Sequence, residues 1–161
     1  MTVVALCFAP QKAGSMLAVD ELDIVAGTGI VGDRYFSASQ RHAGQNITLI
    51  EAEEIEGFNA RNGMRLSLTD PRRNVITRNL RLNQLVGLEF TIGSARFRGV
   101  ELCEPCATLS GYLAGQVMTK QTFIREFAHR CGLRADILGS GRIRVGDEVA
   151  VVDACIRPAS P

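Results

Sequence analysis

Apolar and polar residues alternate in short runs along most of the chain, and the runs with period two predict β-strands at 3–8, 46–50, 74–77, 88–93, 95–102, 133–138 and 142–152. Each run is bounded by Gly, Asp, Asn or Pro, the residues that turn a chain between strands. In the last run Arg142 and Arg144 alternate with Ile143 and Val145, which predicts arginines outside and aliphatics inside. Two segments follow the helical period instead. Residues 51–62 carry Ala52, Ile55 and Phe58 on one face, acidic residues first, Arg61 last and Gly63 as a stop, although Gly57 disfavours helix. Residues 120–131 present Phe123, Ile124, Phe127, Ala128 and Cys131 on one face, with Thr119 as N-cap and Gly132 as terminator. Many short strands, two or three helices and no regular βαβ alternation predict a mostly β fold: a mixed or antiparallel, barrel-like sheet with peripheral helices. Closure into a barrel is favoured because an open sheet leaves edges to protect.

A chain of 161 residues is expected to form one domain over 1–161, with 156–161 as a short tail, and buries about 70% of the surface its unfolded form exposes. The net charge of +1 argues against a nucleic-acid face, and no apolar run approaches the roughly 20 residues that span a bilayer. Neither nucleic acid nor membrane is an expected partner. Of 18 basic residues 16 are arginine, which suits an anionic small ligand because the guanidinium fork matches phosphate and carboxylate; codon bias explains the same excess. Five cysteines, an odd number, and no signal peptide predict free thiols in a reducing, cytoplasmic setting.

Cys103 and Cys106 form a Cys-x-Pro-Cys at the end of a predicted strand. The spacing matches a thioredoxin-type redox pair, but the prolines after Pro105 are only Pro158 and Pro161, so no proline is available to face the thiols. Zinc needs four ligands, and one pair with two distant histidines, His42 and His129, does not supply them. Two small buried residues at a strand end remain an equally simple reading. Arg72, Arg73 and Asn74 open another strand, where adjacent side chains point to opposite faces, so one arginine of the pair is expected on each side. The glycine-rich segment 27–36, ending in Asp33 and Arg34, lacks the Gly-Lys-Ser/Thr of a phosphate loop and a following helix, and reads as a loop that can approach a ligand. No nucleophile elbow or carboxylate pair stands out.

In order and spacing, "GIVGDRYF", "GQNITLIEAEEIEGFN", "PRRNVITRNLRLNQLVGLEFTIGSARFRGVELCEPC" and "GLRADILGSGRIRVGDEVAVV", from about Gly27 to Val152, resemble the MOSC domain family, named for the C-terminal domain of molybdenum cofactor sulfurase. The resemblance implies a barrel-like β fold and the molybdenum cofactor (molybdopterin) as ligand. It also implies one working cysteine, Cys106, as metal ligand or persulfide sulfur carrier, with Cys103 a bystander. Arg72, Arg73 and Asn74 match the family's cofactor-approaching segment; Asp33 and Arg34 match its Gly-Asp-Arg, for ligand contact or loop structure. Thr108, two residues past Cys106, is expected on the same side if the chain stays extended, as a candidate donor to the same ligand. The implied activity is reduction of N-hydroxylated substrates with electrons from a separate electron-transfer protein, or sulfur exchange with a donor or acceptor protein. A cofactor or sulfur carrier without catalysis, and a dithiol oxidoreductase, are the alternatives.

Overall fold

The computed structural model describes residues 1–12, 14–37, 42–105, 111 and 118–152. The strands are β1 (Thr2–Phe8), β2 (Leu17–Val19), β3 (Glu21–Val25), β4 (Gly29–Ile30), β5 (Ile47–Glu51), β6 (Val75–Arg78), β7 (Glu89–Ile92), β8 (Ala95–Leu102), β9 (Leu133–Gly139), β10 (Gly141–Arg144) and β11 (Val149–Val151). Helices α1 (Ala52–Asn62) and α2 (Lys120–Phe127) and a 3-10 turn at Leu82–Leu85 complete the described elements. The architecture is mostly β with peripheral helices, as the alternating pattern requires.

Eight strands form one sheet in the order β11-β7-β8-β9-β5-β6-β1-β2, and β10-β3-β4 form a second. All ladders are antiparallel except β5–β6, whose parallel pairing is made by the α1 crossover. The large sheet curls until β1 meets the chain just before β11. There Thr2 bridges Glu148, the Val3 N–H donates to the Asp147 carbonyl at 2.9 Å and the Gly146 N–H donates to the Val3 carbonyl at 2.8 Å. Because β2 lies beyond β1 at the edge and no ladder joins β11 to it, the sheet is barrel-like but not closed, contrary to the expected closure.

The strands nearest α1 and α2 are buried on both faces. Val3, Leu6, Ile47, Leu49 and Val75 join Phe90 and Phe97 in the core inside the curl. Cys7, Ile50 and Ile76 point the other way and meet Ala52, Ile55 and Phe58 of α1, Phe123 and Phe127 of α2, and Cys103 and Cys131. Phe58 packs edge-on against Phe127 at 4.6 Å between centroids, a favourable aromatic arrangement. Double burial explains why these strands read as near-continuous apolar runs.

Three expectations are corrected. The predicted strand 142–152 is two strands in different sheets, because Gly146 takes φ 93° and Asp147 Oδ2 accepts the Arg144 N–H at 2.7 Å to close a turn. Arg142 and Arg144 are exposed and Ile143 is buried, but Val145 sits on that turn and is exposed. The helix predicted over 120–131 ends at Phe127. The Glu104 carboxylate accepts the His129 N–H at 3.1 Å and bonds its Nδ1 at 2.8 Å, and His129 is left-handed at φ 58°. Strands β2, β3 and β4 were not anticipated, and β4 lies inside the segment read as a loop.

The two caps behave as the sequence implies. Thr119 Oγ1 accepts the Thr122 N–H at 3.1 Å at the start of α2, and Gly63, left-handed at φ 62°, closes α1.

Candidate functional site

A cleft of about 250 Å³ lies where three chain segments and one strand meet. The loop after β4 contributes Asp33, Arg34 and Tyr35; the approach to β5 contributes residues 44–48; the approach to β6 contributes Arg72 and Asn74; β9 contributes Arg134.

Asn74 fastens the floor. Its Oδ1 accepts from the Thr48 N–H at 3.1 Å and the Thr48 hydroxyl at 2.9 Å, and its Nδ2 donates to the Cys7 carbonyl at 3.3 Å. One side chain thus ties β5 to β1 where the parallel pair begins. Asp33 does the same for the neighbouring loop: its carboxylate accepts the Ala9 N–H at 3.1 Å and the Tyr35 N–H at 2.8 Å. Both oxygens are occupied by backbone, which gives Asp33 a loop-shaping role. Arg34 is then held with its guanidinium 4.5 Å from the Tyr35 ring centre and 4.0 Å from Asp33. Its Nε is buried and finds no hydrogen-bond partner among the described residues.

The arginine pair divides. Arg72 takes the left-handed conformation at φ 59° and lines the cleft. Arg73 turns to the opposite side, donating from Nε to the Cys131 carbonyl at 2.8 Å and from Nη2 to the Cys131 sulfur at 3.0 Å. The left-handed conformation is uncommon for an arginine and concentrates at functional sites.

Cys7, Cys103 and Cys131 are free thiols buried together on the Arg73 side. Burial pushes the Cys7 thiol up to about 12, against the pull of Arg72, and its Sγ donates to the Arg73 carbonyl at 2.8 Å. Burial also raises Cys103, opposed by Arg73 and Arg134. Its backbone N–H donates to the Gly132 carbonyl at 2.7 Å, fixing the end of β8 against the start of β9. Cys106 and Thr108 lie outside the described residues.

Of the expected site residues, the fold brings Asp33, Arg34, Arg72 and Asn74 together and sends Arg73 elsewhere. Sequence reasoning missed Arg134 and the Gly44–Thr48 segment as cleft residues. Arg134 alternates with buried Leu133 and Ala135 in β9, a pattern indistinguishable from a solvated strand face. A larger cleft of about 710 Å³ is lined by Glu51, Glu53, Glu54 and several basic residues. There Arg81 already pairs with Glu54 at 3.3 Å and Glu51 at 3.5 Å. Among the described residues no group of His, Cys, Asp or Glu is placed to hold a metal ion, and no described helix is long and apolar enough to cross a membrane.

Solved structures share this fold. The YuaD protein from Bacillus subtilis superposes with a TM-score of 0.80 at 21% identity, covering 94% of this chain and 96% of that one. YiiM from Geobacillus stearothermophilus gives 0.72 at 14% identity, covering 97% and 77%, and YiiM from Escherichia coli gives 0.68 at 14%, covering 95% and 70%. No curated protein matches in sequence. The sequence model of the MOSC domain matches residues 33–150, a span that begins at the Asp33 loop, contains every other residue of the cleft and ends in β11. The chain therefore belongs to the MOSC domain family.

Proposed function

We propose that the chain binds the molybdenum cofactor in the Arg34–Arg72–Asn74 cleft and uses Cys106 as metal ligand or sulfur carrier. The observation that carries this reading is the convergence of Arg34 and Arg72 on one cleft, with a buried Arg34 Nε still lacking a partner among the described residues. The donor set fits the group. Guanidinium forks form charge-assisted hydrogen bonds to phosphate. The end of β8 pairs with the β9 strand that carries Arg134, and Cys106 follows in sequence after Cys103 and Pro105.

When bound, the cofactor supplies a molybdenum centre for two-electron chemistry at a thiolate-ligated metal. The residues of this chain do the rest. Asn74 and Asp33 hold the cleft in shape through backbone groups, and Arg34 and Arg72 neutralise and orient the anionic end of the ligand. Cys106 provides the soft sulfur. As a reductase the protein takes two electrons from a separate electron-transfer protein and two protons from solvent; the N–O bond of an N-hydroxylated substrate breaks and water leaves. As a carrier, Cys106 passes persulfide sulfur between a donor and an acceptor protein.

Burial supports one working thiol over a dithiol pair. Cys103 is 1% exposed and burial pushes its thiol pKa up, whereas attack on a disulfide needs an accessible thiolate. Molybdenum and sulfane-sulfur content of protein purified from a cofactor-producing host tests the reading, with wild type, Cys103→Ser and Cys106→Ser in parallel. Molybdenum, or sulfane sulfur, retained in wild type and Cys103→Ser and lost in Cys106→Ser is the expected result. Neither species in wild type, or equal loss in both variants, overturns it.

A further inference from the structure

We propose that Glu104 is a positioning residue: its grip on the turn at His129 fixes the course of the chain two residues before Cys106. The inference rests on Cys106 as the working thiol and adds to it the side chain that aims it.

The turn at 129–132, between α2 and β9, is bound from several sides. The Arg130 N–H donates to the Phe127 carbonyl at 3.1 Å, and Asn83 Nδ2 donates to the His129 carbonyl at 3.2 Å. Arg73 Nε donates to the Cys131 carbonyl at 2.8 Å. With these backbone groups satisfied, the turn is a firm base for the chain that is tied to it. Two consecutive residues leaving β8 are tied there. The Cys103 N–H donates to the Gly132 carbonyl at 2.7 Å, one bond beyond the Leu102–Leu133 pair that ends the β8–β9 ladder. Glu104 then spends both carboxylate oxygens on one residue: Oε2 accepts the His129 N–H at 3.1 Å and Oε1 bonds the ring Nδ1 at 2.8 Å. A side chain held at two points fixes the direction of the backbone that carries it. Pro105, buried and with φ set by its ring, is the single residue between Glu104 and Cys106.

Two observations separate this contact from an ordinary surface ion pair. The side chains of His129 and Glu104 are 77% and 50% exposed, so the pair adds little to stability. His129 also stands at φ 58°, a left-handed conformation that glycine adopts without steric cost. Stability alone would favour glycine at 129; the ring's bond to Glu104 accounts for a histidine there. Strained backbone of this kind concentrates at functional sites.

The test is the rate at which iodoacetamide alkylates Cys106 in the full chain, read from the fragment masses of its peptide. Urea denaturation is run in parallel, for wild type, Glu104→Ala, Glu104→Gln and His129→Gly. Thiol reactivity follows the surroundings of the sulfur, so a held Cys106 is expected to react at a rate about tenfold away from that of the urea-unfolded chain. In Glu104→Ala the difference is expected to shrink to about threefold or less, with the urea midpoint nearly unchanged. Glu104→Gln, whose amide can serve both bonds, is expected to keep the wild-type rate. His129→Gly is expected to raise the midpoint while shifting the rate as Glu104→Ala does, so that stability and positioning move in opposite directions. A Glu104→Ala rate equal to that of wild type, or a wild-type rate equal to that of the unfolded chain, overturns the role of Glu104. A shift in rate that comes only with a lowered midpoint in both variants assigns Glu104 to the fold and overturns it as well. The rates are independent of molybdenum and sulfane-sulfur content: failure of the Cys106 reading there, with the expected rates here, leaves a positioned thiol without the cofactor.

Discussion

Arg72 and Arg73 are chemically identical neighbours with opposite duties, and their substitution separates binding from stability. Arg73 makes two charged hydrogen bonds to Cys131 in a partly buried setting. Arg73→Ala is expected to destabilise the fold by about 2 kcal/mol, measured by urea denaturation, whereas Arg72→Gln is expected to leave the midpoint nearly unchanged. Equal loss of stability in both would contradict this division. The sequence already implied that one arginine lies on each side, since neighbours at a strand start diverge. It did not reveal which, because that depends on the left-handed turn at Arg72 and on Cys131 arriving from a segment 58 residues away. Asp33 was legible as a motif residue, but its use by the Ala9 and Tyr35 backbone depends on β1 ending beside it.

At the level of elements, the junction between β8 and β9 fixes Cys103 through its N–H bond to the Gly132 carbonyl. Gly132 at φ +103° lies so close to the Leu49 carbonyl that a Cβ would overlap it, and its own carbonyl receives the Cys103 N–H. Gly132→Ala is therefore expected to cost about 3 kcal/mol or more through backbone strain and overlap, read as a lowered Tm. A variant as stable as wild type would show that β5 and β9 are less tightly joined than described. The sequence placed Gly132 as a helix terminator, whereas its physical duty is this close approach. Period-two alternation located β7, β8 and β9, whose faces are buried in turn, while near-continuous apolar runs located β1, β5 and β6, which are buried on both faces. It merged β10 and β11, because Asp147 and Gly146 turn the chain without breaking the apolar pattern. It passed over β2 and β4, which are only three and two residues long.

For the whole molecule, the curled sheet separates an apolar interior from a second core under the helices, and the cleft sits near the loops before β5 and β6. Family membership follows from the order of motifs over residues 33–150, and that order was visible in the sequence. The cleft was only half visible: Arg34, Arg72 and Asn74 carried a motif, while Arg134 reached it through strand pairing. We propose that this cleft, lined by Arg72, holds the cofactor. The most direct measurement is the pterin content of wild type and Arg72→Gln, purified from a cofactor-producing host and read as fluorescence of the oxidised pterin released on denaturation. Near-stoichiometric pterin in wild type and little in a folded Arg72→Gln is the predicted result; equal pterin in both, or none in wild type, would contradict it.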